Sequence, residues 1–328
     1  METQTNAAVS GAGRVLVAAV LWGTVGPAQA LASSAMAPAA LGGWRLLVGG
    51  LALGLLAVRP GMLQSFTRRT PLGPLLVCAL STAAYQAAFL SSVARTGAAL
   101  ATVIALGVAP AATGLGARWA AGERIGPAWL VSTGAAIAGC VLLMAPGSEG
   151  VDVPGLLLAV VAGSCYGLYV VFAKRLTATA PASDLPAFSA LTLLVGSLPL
   201  LPWMVTNGPP LRDGGTLALI AWLGLATTAA AYRLFTDGLA RVRATTAGTL
   251  SLAEPLAAAL LGVLVLHEHL TSAEWAGCGL VLAGMIAACR PSAPRSRPAV
   301  RATGHPPVRR ITYTESSEHI AVTEGNTE

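Results

Sequence analysis

From Val15 to Cys289 the chain is a succession of long apolar runs separated by short polar junctions. The runs read at 15–33, 38–57, 72–94, 98–117, 127–145, 154–173, 186–205, 216–239, 244–266 and 272–289. Each is close to the roughly 20 residues that a helix needs to cross a hydrocarbon core about 30 Å thick. Pro38, Pro60-Gly61, Pro71, Pro127, Pro146-Gly147, Pro154, Pro181 and Pro209-Pro210 stand at the junctions, where chain-breaking residues belong. The pattern predicts an all-α membrane protein with ten transmembrane helices. Ala35-Met36-Ala37 offers a rival reading of the first run as a cleaved leader. That run is too long for a leader's apolar region and has a counterpart in the second half, so it reads as a span.

The counterpart belongs to a larger repeat. The stretch from Ala99 to Ile125 returns as Ala244 to Leu270, and one interval carries Pro110 onto Pro255, Glu123 onto Glu268, Gly134 onto Gly279 and Gly139 onto Gly284. Half the chain is therefore the repeating unit. The organisation reads as a cytoplasmic N-terminal segment (1–13), a first repeat (14–145), a second repeat (154–290) and a tail (291–328). Five spans per repeat is an odd number, so the two halves enter the membrane in opposite directions. Inverted repeats place a substrate site near the midplane and allow alternating access.

Composition agrees with lipid as the solvent. The 328 residues are 55% apolar and 10% charged, with mean hydropathy +0.69, whereas a soluble domain carries about 25% charged residues. The net charge of +6 does not imply nucleic acid, because Lys and Arg sit in short loops and the tail rather than on one face. They orient the chain instead. With both termini cytoplasmic, the external loops hold only Arg95 and Arg212, Arg45 and Arg233 lie inside spans, and the other basic residues face the cytoplasm. This places the protein in the cell membrane. Residues 291–328, rich in Pro, Arg, Ser and Thr and then acidic, read as disordered.

Few residues in the spans can carry chemistry. Glu254 lies about 15 Å into its span at 1.5 Å per residue, where an ionisable group costs a few kcal/mol and marks a functional site by default. Pro255 has no N–H and frees a carbonyl one turn earlier; carboxylate plus carbonyl would make a proton or cation site. A protonated structural pin is the alternative. Arg45 is either a charge partner for Glu254 or a substrate carboxylate, or it snorkels to the interface. Trp22, Tyr85, Gln86, Tyr166, Tyr169 and Tyr232 read as the wall of a cavity with a few polar points, with core filling or an interfacial belt the alternative. Ala247, Ser251, Glu254 and Ala258 share a face, with Thr102, Ala109 and Thr113 as its counterpart, and small residues at that spacing pack helices closely in lipid. Gly163 and Gly167 form a further such contact.

Several patterns carry no chemistry. Arg233, Asp237 and Arg241 read as a helix-surface ladder, with ligand binding by Arg233 the alternative, and Glu123 and Glu268 as caps or pairs at opposite faces, with gating the alternative. His267-Glu268-His269 lacks the spacing of a helical zinc motif. Cys78, Cys140, Cys165, Cys278 and Cys289 stand singly in apolar runs and read as small buried hydrophobes. Gly163-Ser164-Cys165-Tyr166-Gly167 has the look of a nucleophile elbow but no His partner in any span. No catalytic, metal or cofactor site is expected, and no nucleotide-binding loop is present.

Leu21-Trp22-Gly23, Trp44-Arg45-Leu46-Leu47, Tyr85-Gln86, Ala231-Tyr232, and the stretches from Pro110 to Glu123 and from Glu254-Pro255 to Glu268 together resemble an EamA-type member of the drug/metabolite transporter superfamily, over about residues 12–290. The resemblance implies a carrier of small metabolites, commonly an exporter of amino acids or related compounds. The expectation is a secondary transporter exporting an amino-acid-like metabolite, with protons coupled through Glu254. Uptake, uncoupled permeation and a non-transporting sensor are the alternatives. Its partners would be a small-molecule substrate and the lipid bilayer, not nucleic acid, with a homodimer left open.

Overall fold

The computed structural model describes residues 2–32, 34, 36–57, 71–143, 152–179, 181–208, 213–267 and 269–289. The expected tail (291–328), Glu268 and the basic loop holding Arg59, Arg68 and Arg69 lie outside them. The first half comprises α1 (Glu2–Gly23), α2 (Val25–Ala32), α3 (Pro38–Ala57), α4 (Leu72–Thr96), α5 (Ala98–Ala121) and α6 (Pro127–Leu143). The second comprises α7 (Val153–Thr179), α8 (Leu185–Ser197), α9 (Leu201–Asn207), α10 (Gly214–Ala221), α11 (Ala231–Leu239), α12 (Ala244–Leu250), α13 (Ala253–Leu266) and α14 (Ser272–Cys289). Among the described residues, nine helical stretches are long and apolar enough to cross a membrane, and α6 is a shorter apolar helix.

Four of the long stretches are not single α-helices, each for a local reason. Thr24 separates α1 from α2, and its hydroxyl donates to the Leu21 carbonyl at 2.7 Å. A 3-10 turn, Leu198–Leu200, joins α8 to α9 where Pro199 and Pro202 remove two amide donors. Trp222–Ala230 is π-helical between α10 and α11. Ser251 and Leu252 break α12 from α13 just before Glu254-Pro255.

Packing follows the repeat. α4 and α5 both lie against α7, and in the other half α11 and α13 both lie against α1. α3 pairs with α8 and α6 with α14, each helix with its own repeat partner. Gly139 of α6 meets Gly277 and Val281 of α14, whereas Gly284 meets Ser132 and Ala136. The helices therefore run antiparallel. α3 opposes its partner in the same way, with Gly43 near Leu200 and Met204 but Gly50 near Leu194. At the α6–α14 crossing a Cβ on Gly139 would lie 2.6 Å from the Gly277 carbonyl oxygen, so the backbones touch. Small-residue contact of this kind is how helices associate where lipid removes the hydrophobic drive.

The helix ends repeat as well. Gly122 closes α5 with φ 63°, and His267 closes α13 with φ 57°. Their backbone N–H groups bond Ala117 and Gly262 in turn, the same step back in each half. His267 thus fills a left-handed position that ordinarily takes glycine. The core joins Val15, Ala18, Trp22, Tyr169, Phe188, Phe235, Leu250 and Leu252, while large apolar side chains such as Leu55, Leu56, Trp119 and Val205 are exposed around the bundle.

Candidate functional site

The aromatic members of the expected wall converge. Trp22 packs edge-on to Tyr232 with centroids 5.6 Å apart, and Tyr232 meets Tyr169 at 6.1 Å. Tyr85 meets Tyr166 at 6.3 Å and stacks on Phe89 at 5.5 Å. The first and third of these contacts are the same one made twice, because Trp22 and Tyr166, and Tyr85 and Tyr232, hold equivalent places in the two halves. Phe235 and Phe188 complete the wall around Tyr169. Sequence reasoning missed both, although Phe235 lies one turn beyond Tyr232 on the same face of α11.

Local structure explains the convergence. Trp22 and Tyr166 are each followed by glycine. A Cβ on Gly23 would lie 2.7 Å from the Glu254 carbonyl oxygen, and one on Gly167 would lie 2.8 Å from the Thr113 amide nitrogen. Each glycine lets α1 or α7 press against α13 or α5. The π-helical segment serves Tyr232, which follows Tyr85 by two residues more than Pro255 follows Pro110. An i→i+5 turn holds about one residue more than an i→i+4 turn, so two such turns absorb about two residues. Tyr232 is thereby returned to the place Tyr85 occupies in the other half.

Glu254 stands at the break between α12 and α13, halfway along the stretch Ala244–Leu266. Its N–H donates to Ser251 O at 3.1 Å, and the Leu252 N–H donates to Thr249 O at 3.2 Å. The carbonyl that Pro255 was expected to free is thus taken by the Glu254 amide. The break lets that amide reach three residues back instead of four, so the Ser251 carbonyl keeps a hydrogen-bond donor despite Pro255. The first half has Ala109 and Pro110 at the equivalent place, and α5 continues through them unbroken. Thr113 Oγ1 there donates to Ala109 O at 2.8 Å.

The Glu254 carboxyl lies within electrostatic range of Tyr85, Tyr166 and Tyr232, and the Arg45 guanidinium within range of Glu254, Tyr85 and Tyr232. Neither charged side chain makes a hydrogen bond or an ion pair among the described residues. Tyr166 Oη donates to Ser251 Oγ at 2.9 Å, and Ser251 Oγ donates to Ala247 O at 3.0 Å, which ties α7 to the break. Gln86 is buried, with no hydrogen bond to its side chain among the described residues. The Tyr169 hydroxyl is buried without a partner among the described residues. The Glu254 carboxyl, the Arg45 guanidinium, the Gln86 amide and the Tyr169 hydroxyl thus each keep hydrogen-bonding capacity unspent among the described residues.

Arg233 lies elsewhere. It pairs with Asp237 at 3.1 Å and lines a separate crevice of about 240 Å³ with Leu53, Leu56, Ser183 and Pro186. The ladder is incomplete, because Arg241 donates to the Asp237 backbone carbonyl at 2.5 Å rather than to its carboxylate. Glu123 does cap a helix, receiving the Ala244 N–H at 3.0 Å and the Thr245 hydroxyl at 2.7 Å. Gly163 and Gly167 are a contact face against α5, as their spacing suggested: a Cβ on Gly163 would lie 2.4 Å from Ala105 O. Cys78, Cys140 and Cys278 are buried, Cys165 is half-buried, and Cys289 is exposed on α14, where a small hydrophobe was expected to be covered. Among the described residues no three metal-ligating side chains come together.

Comparison with known proteins agrees with this architecture. The EamA-like transporter family matches residues 9–145 and 153–289. The chain is 39% identical over 277 residues to YwfM of Bacillus subtilis (strain 168), an uncharacterized transporter, covering 83% of this chain and 91% of that protein. Over 137 residues it is 31% identical to the threonine/homoserine exporter RhtA of Escherichia coli (strain K12), covering 42% of this chain and 45% of RhtA. A solved structure titled "Crystal structure of protein" superposes with a TM-score of 0.71 at 22% identity, covering 85% of this chain and 96% of that one, and shares the fold. With a family match across both halves and a relative aligned over most of its length, the chain belongs to the EamA-like transporter family and is a multi-pass membrane transporter, not an enzyme.

Proposed function

We propose that the protein is a secondary carrier that exports a small amino-acid-like metabolite by alternating access, with Glu254 as the proton-coupling group. In this reading the chain crosses the cell membrane ten times as two inverted five-helix repeats, and both termini are cytoplasmic. The observation that carries the reading is that Glu254 and Arg45 lie within electrostatic range of the same tyrosines, Tyr85 and Tyr232, without pairing with each other or with any described neighbour. A charge left unpaired inside a membrane protein is costly and is retained where a substrate or proton completes it. A zwitterion matches the set, its carboxylate on Arg45 and its ammonium against the rings of Trp22 and Tyr232, which attract cations. Tyr85, Gln86, Tyr166 and Tyr169 supply the remaining wall.

The antiparallel pairing of α6 with α14 and of α3 with α8–α9 supports the inversion, since each pair unites equivalent helices of the two halves. Direction and substrate class lean on the likeness to a threonine/homoserine exporter over less than half the chain. The test is counterflow in proteoliposomes loaded with an amino-acid mixture. Saturable exchange of labelled threonine or a related amino acid is expected. If no loaded compound exchanges, and deletion of 291–328 abolishes the cellular phenotype, the protein is a sensor instead.

A further inference from the structure

The end of the bundle that carries Lys174, Arg175 and Arg243 is tied across the two halves by a group of contacts centred on Glu123. Its carboxylate receives the Ala244 N–H at 3.0 Å, the Thr245 N–H at 3.4 Å and the Thr245 hydroxyl at 2.7 Å. The Arg243 Nε lies 3.5 Å away, and Arg243 Nη2 donates to Arg124 O at 3.1 Å. Trp129 Nε1 donates to Thr245 O at 3.3 Å, and Lys174 Nζ donates to Leu239 O at 2.7 Å. The contacts to the carboxylate dominate. Its side chain is 12% exposed and accepts bonds from neutral donors to a charged oxygen, whereas Arg243 is 51% exposed, and an exposed ion pair adds little.

What Glu123 holds is α12, a helix of seven residues and so about 10 Å long at 1.5 Å per residue. One end of this rod is fixed by Glu123. The other runs into Ser251, which is bonded to Tyr166, and into the break that presents Glu254. Between the ends, Thr249 Oγ1 lies 2.9 Å from Thr133 Oγ1, and Thr249 is fully buried. A carrier must open each end in turn, and α12 cannot leave α5 and α6 at this end while Glu123 caps it.

We infer that Glu123 is a latch that closes the pathway at the Arg243 end, and that its release from α12 opens that end and carries Ser251 away from Tyr166. The inference rests on the carrier reading. A merely structural cap would loosen the whole bundle when removed, whereas a latch shifts the balance between its two ends. The test is therefore labelling with a membrane-impermeant maleimide at two reporters. Thr249→Cys reports on the α12 side. Thr24→Cys lies just beyond the level of Glu254, on the side away from Glu123, where Thr24 Oγ1 accepts from Trp222 Nε1 at 3.1 Å.

Labelling is followed by mass spectrometry of the peptide holding each reporter, so the native cysteines stay in place. Glu123→Gln is expected to raise labelling of Thr249→Cys roughly ten-fold, the worth of about one charge-assisted hydrogen bond, and to lower labelling of Thr24→Cys. Thr245→Val, which removes only the hydroxyl bond, should move both reporters the same way by roughly three-fold. A rise at both reporters would make Glu123 a structural cap and overturn the latch, as would no change at either. The readout does not depend on substrate, so a failed counterflow experiment would sink the carrier reading without touching this result.

Discussion

Four glycines in α6 and α14 make the tightest test of the packing. Gly139 and Gly284 are equivalent, as are Gly134 and Gly279, yet their surroundings differ in kind. A Cβ on Gly139 would lie 2.6 Å from Gly277 O and Val281 N, and one on Gly284 would lie 2.5 Å from Ser132 O. Ordinary contact begins near 3.4 Å, so either alanine must push the helices apart by about 1 Å. Overpacking of this kind costs about 1–3 kcal/mol, and alanine returns about 1 kcal/mol of helix propensity. Gly139→Ala and Gly284→Ala should therefore each destabilise, by up to about 2 kcal/mol. Nothing lies within 4 Å of a Cβ on Gly134 or Gly279, so only the helix gain remains and the sign reverses. The assay is unfolding of the purified protein by SDS titration, read by loss of helix. Equal losses at all four positions would refute the close crossing of α6 and α14.

Three further outcomes follow from single contacts. Tyr166→Phe and Ser251→Ala, combined in a double-mutant cycle of unfolding, should show about 1 kcal/mol of coupling for their hydrogen bond; strict additivity would mean the bond does not form. His267→Gly should stabilise by about 1 kcal/mol, because a left-handed residue with a Cβ pays about that much, and a loss of stability would place another role on the imidazole. The Asp152 carboxyl is held below the usual carboxylate range, first by the Gly155 N–H and then by Arg95. A depressed carboxylate stabilises above its unfolded value, about 4, and loses that contribution as pH falls through its folded value. Melting curves taken downward from pH 5 should fall more steeply for wild type than for Asp152→Asn, and parallel curves would contradict the assignment.

The spans, the repeat and the clustering of the aromatic residues were legible because each leaves a local mark. Apolar length announces a helix, a constant interval announces a repeat, and an aromatic beside a glycine announces a close helix contact. Glu254-Pro255 announced a disturbed helix for the same reason, since proline removes a donor whatever surrounds it. The fate of the Ser251 carbonyl was not legible, because it depends on where the helix yields, and that is decided by neighbours such as Tyr166 and Thr113. The π-helical stretch Trp222–Ala230 was also hidden. Its sequence reads as an ordinary span, and only the two-residue surplus between the Tyr85 and Tyr232 intervals hints at it. Glu123 was read as a cap from its place at a span end, but its partner at Ala244 lies 121 residues away, a contact that folding alone brings about.

The most direct test of the central claim is counterflow at several pH values for wild type and Glu254→Gln in the same proteoliposomes. Saturable exchange that varies with pH in wild type, and is lost or made pH-independent by the carboxamide, is the expected result. Exchange unaffected by either pH or the substitution would contradict it, leaving a carrier in which Glu254 is a structural pin.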